Sequence, residues 1–213
     1  MFDRVLVAVG RKPNSDGLGL EKANVRRDEA GFVETSATQQ TENPAIYAIG
    51  DVVAGAMLAH KAVHDAHVAI DSILGETNRP GSAVIPAVVF THPEIAWCGL
   101  TESAARRNGR AIEVARFPWG ASGRAVTIDG TEGLTKLVVD PSSAKILGAG
   151  IVGRNAGELI AEAVLAVEVG LTAKQLGRVV HPHPTLSETL MESAEAFYGL
   201  ATHTYSPRKR GER

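Results

Sequence analysis

Cysteine is almost missing: Cys98 is the single thiol in 213 residues. An intramolecular disulfide is therefore excluded, and so is a pair of redox thiols within the chain. Within the apolar run "EIAWCGL", Cys98 reads as a small buried hydrophobe rather than a reactive group. Charge of one sign is missing too: the net charge of −2 gives no field that would draw the chain to nucleic acid or to an anionic membrane. No apolar run reaches the roughly 18 residues of a membrane span, and the N-terminus has no signal-peptide apolar core. A soluble, cytoplasmic protein is the default expectation, with no metal site. No G-x-G-x-x-G is placed between a strand and a helix, and there is no internal repeat or low-complexity tract. What is present is ordinary for a globular chain, 44% hydrophobic and 22% charged. The exception is the basic tail "SPRKRGER" (206–213), read as a solvated, disordered terminus in preference to a nucleic-acid arm.

Along the chain, "RVLVAVG" (4–10) has the continuous valine-rich character of a strand buried on both faces. "RKPN" breaks it, and a turn and hairpin are expected around Gly31. "AIYAIGD" (45–51) is a second buried-strand candidate, followed by a helix over 57–74. Leu58, Ala62, Val63, Ala66, Ala69, Ile70 and Ile73 form that helix's apolar stripe. "GETNRPGS" (75–82) is the expected domain boundary. Beyond it, strands are expected at "VIPAVVFT", "IEVARFP", "GLTKLVVD" and "ILGAGIVG", the last two pairing through a turn at Asp140–Pro141–Ser142. Helices are expected at "TESAARRNG" with Thr101 as N-cap, at "GELIAEAVLAVEVG" closed by Gly170, and over 185–198.

Three places carry residues suited to chemistry. In "HPHPTLSE" (181–188) two histidines alternate with prolines that fix φ on either side of His183. A positioned imidazole exchanges protons near neutral pH, and a carboxylate such as Glu188 would orient it. Thr185–Glu188 fits a capping box equally well, in which Glu188 closes a helix start. His181 receives no role. In "IYAIGDVVAGAMLAHKA" (46–62), Asp51 ends a strand and could accept bonds from a hydroxyl chain, or it could merely cap the turn. The backbone amides of Met57, Leu58, Ala59 and His60 open the following helix, where partial positive charge gathers. In "VAVGRKPN", Gly10 allows close backbone approach and Arg11 could meet a phosphate.

Taken in order, "VLVAVGRKPN", "IYAIGDV", "MLAHKA", "FTHPEIAWCGLTE", "FPWGASGRA", "ILGAGIVG", "AGELIAEAVLAVEVG" and "HPHPTLSETLMESAEAF" resemble the dihydrolipoamide dehydrogenase family, flavoprotein disulfide reductases of 2-oxo acid dehydrogenase complexes. The resemblance covers residues 2 to about 200. "MLAHKA" and "FPWGASGRA" favour it over glutathione reductase, which shares the terminal His-Pro-Thr signature. It implies an α+β fold: the family's C-terminal interface (dimerisation) domain, an antiparallel sheet with flanking helices, over residues 84–200. Before it would stand the last strand of an NAD-binding domain (1–12) and a FAD-contacting segment (13–80), and after it the tail (201–213).

The resemblance further implies that His183 is the acid–base and Glu188 its orienting carboxylate. Asp51 would meet the ribityl chain of FAD, Met57 to His60 would offer amides to the flavin, and Gly10 would line the NAD site. A cis His183–Pro184 peptide, a homodimer in which His183 serves the opposite subunit, and dihydrolipoamide carried on a lipoyl domain follow in the same way. Ala56 departs from the proline that many relatives carry there. The family's ADP-binding fingerprint and redox cysteine pair have no counterpart here, so the chain reads as a C-terminal part with FAD retention doubtful. A non-catalytic dimerising module and a glutathione reductase-like enzyme stand as alternatives.

Overall fold

A computed structural model describes residues 2–76 and 83–205. The chain divides into two compact units, Met1–Ser82 and Ala83–Arg213.

The first unit has little regular structure and a small core of Val25, Val33 and Val53, with Leu20, Ala23, Ile46, Ala48 and Val52 against it. Arg27 bridges Val33 in antiparallel fashion across the expected turn at Gly31, and Val33 also bridges Val53. The one long element is helix α1 (Ala59–Leu74), ended by Gly75 in the left-handed conformation. Two strand expectations fail here. Residues 4–9 form no strand, and Val5, Leu6, Val7 and Val9 are 73–94% exposed. A strand buried on both faces needs neighbours in the sheet and cover above and below, and no described strand pairs with it. At 45–51 the backbone makes only a bridge from Tyr47 to Gln40 before a short 3-10 turn, Gly50–Val52.

The buried face of α1 follows its apolar pattern only in part. Lys61, Asp65 and Ala69 are buried within the unit, while Val63, Ile70 and Ile73 are more than half exposed. The reason is an ion pair that hydropathy does not register. Lys61 Nζ lies 2.7 Å from Asp65 Oδ2 at i,i+4 spacing, and both charges are almost wholly buried.

The second unit is a five-stranded antiparallel sheet in the order β1 (Ala87–Val89), β2 (Ile95–Gly99), β5 (Ile146–Val152), β4 (Leu134–Val139), β3 (Glu113–Pro118). Register places Ala96 opposite Ile151 and Leu137 opposite Ala149. Strand β2 alternates in burial, with Ala96 and Cys98 inward and Ile95 and Trp97 outward. Its sequence had shown only as an apolar run. Cys98 is buried, and desolvation pushes its thiol up to about 11 despite a backbone bond from Ala149 that opposes the shift. The G-x-G-x-x-G spacing does occur at Gly148, Gly150 and Gly153, but its first two glycines lie inside β5, not at a strand-to-helix turn.

Helices α2 (Glu102–Arg107), α3 (Gly123–Thr127), α4 (Ala156–Glu168), α5 (Ala173–Leu176) and α6 (Glu188–Ala196) complete the unit. Thr101 caps α2 by accepting from the Ala104 N–H, as its spacing predicts. The core joins the inward faces of the sheet to Ala156, Ile160, Ala163 and Ala166 of α4 and to Leu190 and Ala194 of α6. At its centre is Trp119, fully buried. Its ring fills space left by two glycines: a Cβ on Gly133 or Gly153 would come within 2.2–2.3 Å of the indole. The tail 206–213 lies outside the described residues.

Candidate active site

Four buried groups tie the sheet to the start of α6. The Trp119 indole N–H donates to Thr135 Oγ1 at 2.9 Å, and Thr135 and Thr189 hydroxyls are 2.8 Å apart. Thr189 gives its one hydroxyl hydrogen to the Leu186 carbonyl at 2.7 Å. Thr135 must therefore be the donor between the two threonines, and the series runs in one direction. It fixes the turn from which α6 begins. That helix starts at Glu188 with Ser187 as N-cap, three residues later than the expected start at Thr185.

Glu188 faces back from this turn. Its Oε1 lies 2.9 Å from His183 Nδ1, and its Oε2 accepts the Thr185 N–H at 2.7 Å. One side chain thus makes both contacts, with the His183 ring and with the Thr185 N–H. Only half of the capping box forms: the Thr185 N–H reaches Glu188, while Thr185 Oγ1 donates to the Pro182 carbonyl and no side chain caps the start of α6 at Ser187. Burial would raise the Glu188 carboxyl, but the Thr185 and His183 hydrogen bonds, with the charges of His183 and His203, outweigh it and hold it below the usual carboxylate range. A carboxylate on Nδ1 requires the proton on that nitrogen. The other nitrogen, Nε2, is then left with its lone pair, on a ring whose side chain is 67% exposed. The His183–Pro184 peptide is cis, as expected, and so is His92–Pro93.

Two further His–Glu pairs lie in this unit, and sequence reasoning named neither. His181, whose side chain is 5% exposed, meets Glu162 of α4 at 2.8 Å. Glu192, one turn beyond Glu188 on α6, is buried, contacts His203 Nδ1 at 2.5 Å and accepts from the Thr202 and His203 amides. Their partners are 11 and 19 residues apart, and no local spacing signals them.

The remaining predicted residues belong to the first unit. Asp51 is half exposed, and Arg11 joins it to the helix start: Arg11 Nη1 is 3.6 Å from Asp51 Oδ2, and its Nη2 donates to the Met57 carbonyl. The Leu58 N–H turns to the Ala56 carbonyl, while α1 opens at Ala59 with no side-chain cap. Gly10 is exposed in an extended stretch with nothing near the position of a Cβ. The clasp beneath Asp51 is the Lys61–Asp65 pair: Asp65 Oδ2 accepts the Gly50 N–H at 3.0 Å, and Lys61 Nζ donates to the Gly50 carbonyl at 3.3 Å. Sequence reasoning named neither residue; their i,i+4 spacing is the signal that could have found the pair, and nothing local signals its grip on Gly50. A half-exposed carboxylate beside a sixteen-residue helix that opens without a side-chain cap can accept from the hydroxyls of a polyol and meet partial negative charge on a ligand, and a flavin offers both. Among the described residues no group of three or more His, Cys, Asp or Glu is placed to hold a metal. No described helix is long and apolar enough to cross a membrane.

An antiparallel sheet with helices packed on it thus presents a histidine bonded to a carboxylate. The chain belongs to the pyridine nucleotide-disulphide oxidoreductase family. Residues 85–194 match that family's dimerisation domain and residues 1–66 its pyridine nucleotide-disulphide oxidoreductase domain. It is 51% identical to the dihydrolipoyl dehydrogenase of Thermus scotoductus over 95% of this chain and 44% of the relative. With the Vibrio cholerae dihydrolipoyl dehydrogenase it is 46% identical over 94% of this chain and 42% of the relative. Among solved structures, LpdA from Mycobacterium tuberculosis superposes with a TM-score of 0.82 at 28% identity, over 87% of this chain and 41% of that one. The HOCl-induced flavoprotein disulfide reductase RclA from Escherichia coli gives 0.78 at 30% identity, over 86% and 42%. The chain thus spans less than half the length of the curated relatives it matches.

Proposed function

We infer that the chain supplies the acid–base pair, a flavin-contacting segment and the dimer interface of a dihydrolipoamide dehydrogenase. The observation that carries this reading is the His183–Glu188 contact at 2.9 Å on an exposed ring. With Nδ1 held by the carboxylate, Nε2 takes the proton of a dihydrolipoamide thiol, presented on a lipoyl domain, as that thiol becomes a nucleophile, and returns a proton in the reverse direction. The resulting imidazolium is stabilised by Glu188, which the Thr185 amide keeps aimed. Cys98 is no partner for this chemistry, being buried with its thiol pushed up to about 11. Asp51 and the α1 start from Met57 to His60 would hold the ribityl chain and ring edge of FAD, and Gly10 would border NAD. When bound, FAD supplies the two-electron route from disulfide exchange to NAD. Exposed Leu165, Val169 and Val180 support a homodimer contact on the second unit, in which His183 serves the opposite subunit. By domain, residues 1–12 and 13–80 would complete the NAD and FAD parts, and 84–200 the interface domain.

The test joins this chain to the preceding segment of the Thermus relative and assays NAD-dependent oxidation of dihydrolipoamide. Turnover that falls about 10²–10⁴-fold in His183→Gln is expected. Turnover unchanged in that variant would sink the assignment. Flavin bound without turnover would favour the non-catalytic dimerising module, and glutathione disulfide preferred over lipoamide would favour the glutathione reductase-like enzyme.

A further inference from the structure

We propose that His181 is a positioning residue, which through Glu162 pins the segment carrying His183 to helix α4 and so delivers the His183 ring to Glu188. This deepens the reading of His183–Glu188 as the acid–base pair and rests on it. The two histidines are built oppositely. His183 is 67% exposed at its side chain and His181 only 5%. An imidazole taken out of water is costly unless its nitrogens find partners. Both nitrogens of His181 face acceptors, Nδ1 2.9 Å from the Val179 carbonyl and Nε2 2.8 Å from Glu162 Oε1; the imidazolium donates to both, and a neutral ring, with one N–H, donates to one of them. Glu162 stands on α4, whose Ala156, Ile160, Ala163 and Ala166 are in the core, so the anchor is as rigid as the sheet beneath it.

One residue, Pro182, separates the anchored ring from the reactive one, and its φ is fixed by its own ring. Its carbonyl accepts from Thr185 Oγ1 at 2.8 Å, and the Thr185 N–H goes to Glu188 at 2.7 Å. The segment is thereby strung between α4 and α6 by side-chain bonds on both sides of His183. An apolar side chain at 181 could fill the same space, but it has no directional bond to α4 and leaves the segment free to slide. A misplacement of about 1 Å at such a ring is enough to lose its partner, since hydrogen bonds weaken steeply beyond their normal range.

The test uses the 213-residue chain with its histidines labelled with ¹⁵N. Imidazole nitrogen shifts report the tautomer of each ring, and loss of the His183→Gln resonances assigns His183. In the wild-type chain the neutral His183 ring should be the Nδ1–H tautomer, locked by Glu188. His181→Leu and Glu162→Leu should both release it to the Nε2–H tautomer that free histidine favours. Glu162→Gln, which keeps an acceptor oxygen at the same reach, should restore the locked form. A locked His183 in His181→Leu overturns the proposal, as does a Glu162→Gln chain that behaves like Glu162→Leu. Should His181→Leu fail to fold, Glu162→Leu decides alone, because the Glu162 side chain is a third exposed and its loss opens no core cavity. Failure of both to fold makes the pair a fold-holding contact and also overturns the proposal. Lipoamide turnover is read separately on the completed enzyme, so a failure of the acid–base reading would leave the tautomer result standing.

Discussion

Replacing Thr135 by valine removes one hydroxyl and almost no volume. It removes the second member of the series Trp119–Thr135–Thr189–Leu186 and so breaks its first two bonds. The fully buried indole N–H then has no acceptor, which costs about 1–3 kcal/mol. The lost Thr135–Thr189 bond adds roughly 0.5–1.5 kcal/mol. Unfolding entropy of about 2.1 cal/mol/K per residue, taken over the second unit, turns each kcal/mol into roughly 4 °C of midpoint. Thr135→Val should therefore lower the calorimetric transition of that unit by roughly 6 to 18 °C. A double-mutant cycle isolates the first contribution. In a Trp119→Phe background no N–H remains to be orphaned, and Thr135→Val should cost about 1–3 kcal/mol less than in the wild type. Equal costs in the two backgrounds would refute the reasoning, because the Trp119–Thr135 bond would then contribute nothing.

The buried clasp of the first unit gives a second expectation. Asp65→Asn keeps an acceptor for the Gly50 amide but leaves the Lys61 ammonium without its counter-charge, and it should destabilise by about 3 kcal/mol in urea unfolding. The pair Lys61→Met with Asp65→Leu should cost less than that single change. A third concerns pH. Because the Glu188 carboxyl is held below its ordinary 4.5 in the folded chain, its contribution is present above about that pH and is lost as pH falls through the folded value. Glu188→Gln should flatten the acid side of a midpoint-against-pH curve, and an unchanged slope would count against the His183 and Thr185 bonds.

Local chemistry made much of the second unit readable. The Thr101 cap, the turn at Asp140, the helix closed by Gly170 and the three long strands all sit where residue pattern alone places them, since each depends on neighbours a few residues apart. His183 and Glu188 stood out as a candidate pair, five residues apart with prolines flanking the histidine, but spacing allowed a helix cap as well, and the family resemblance chose between them. Failures came where burial was inferred from hydropathy. "RVLVAVG" is apolar enough for a covered strand, but pattern does not supply the strands that would cover it. Val63, Ile70 and Ile73 of the α1 stripe face out within its unit, while Lys61 and Asp65, which neutralise one another and bind Gly50, are buried.

The amino-acid order therefore determined, by itself, most of the segments of the second unit and the Thr101 cap, and it left Glu188 open between a helix closure and a partner for His183. Tertiary structure alone decided what holds that pair in place. Thr135 and Thr189 are 54 residues apart, and His181 and Glu162 are 19 apart. Contacts over such separations depend on how the sheet and helices pack, and a local pattern carries no information about packing.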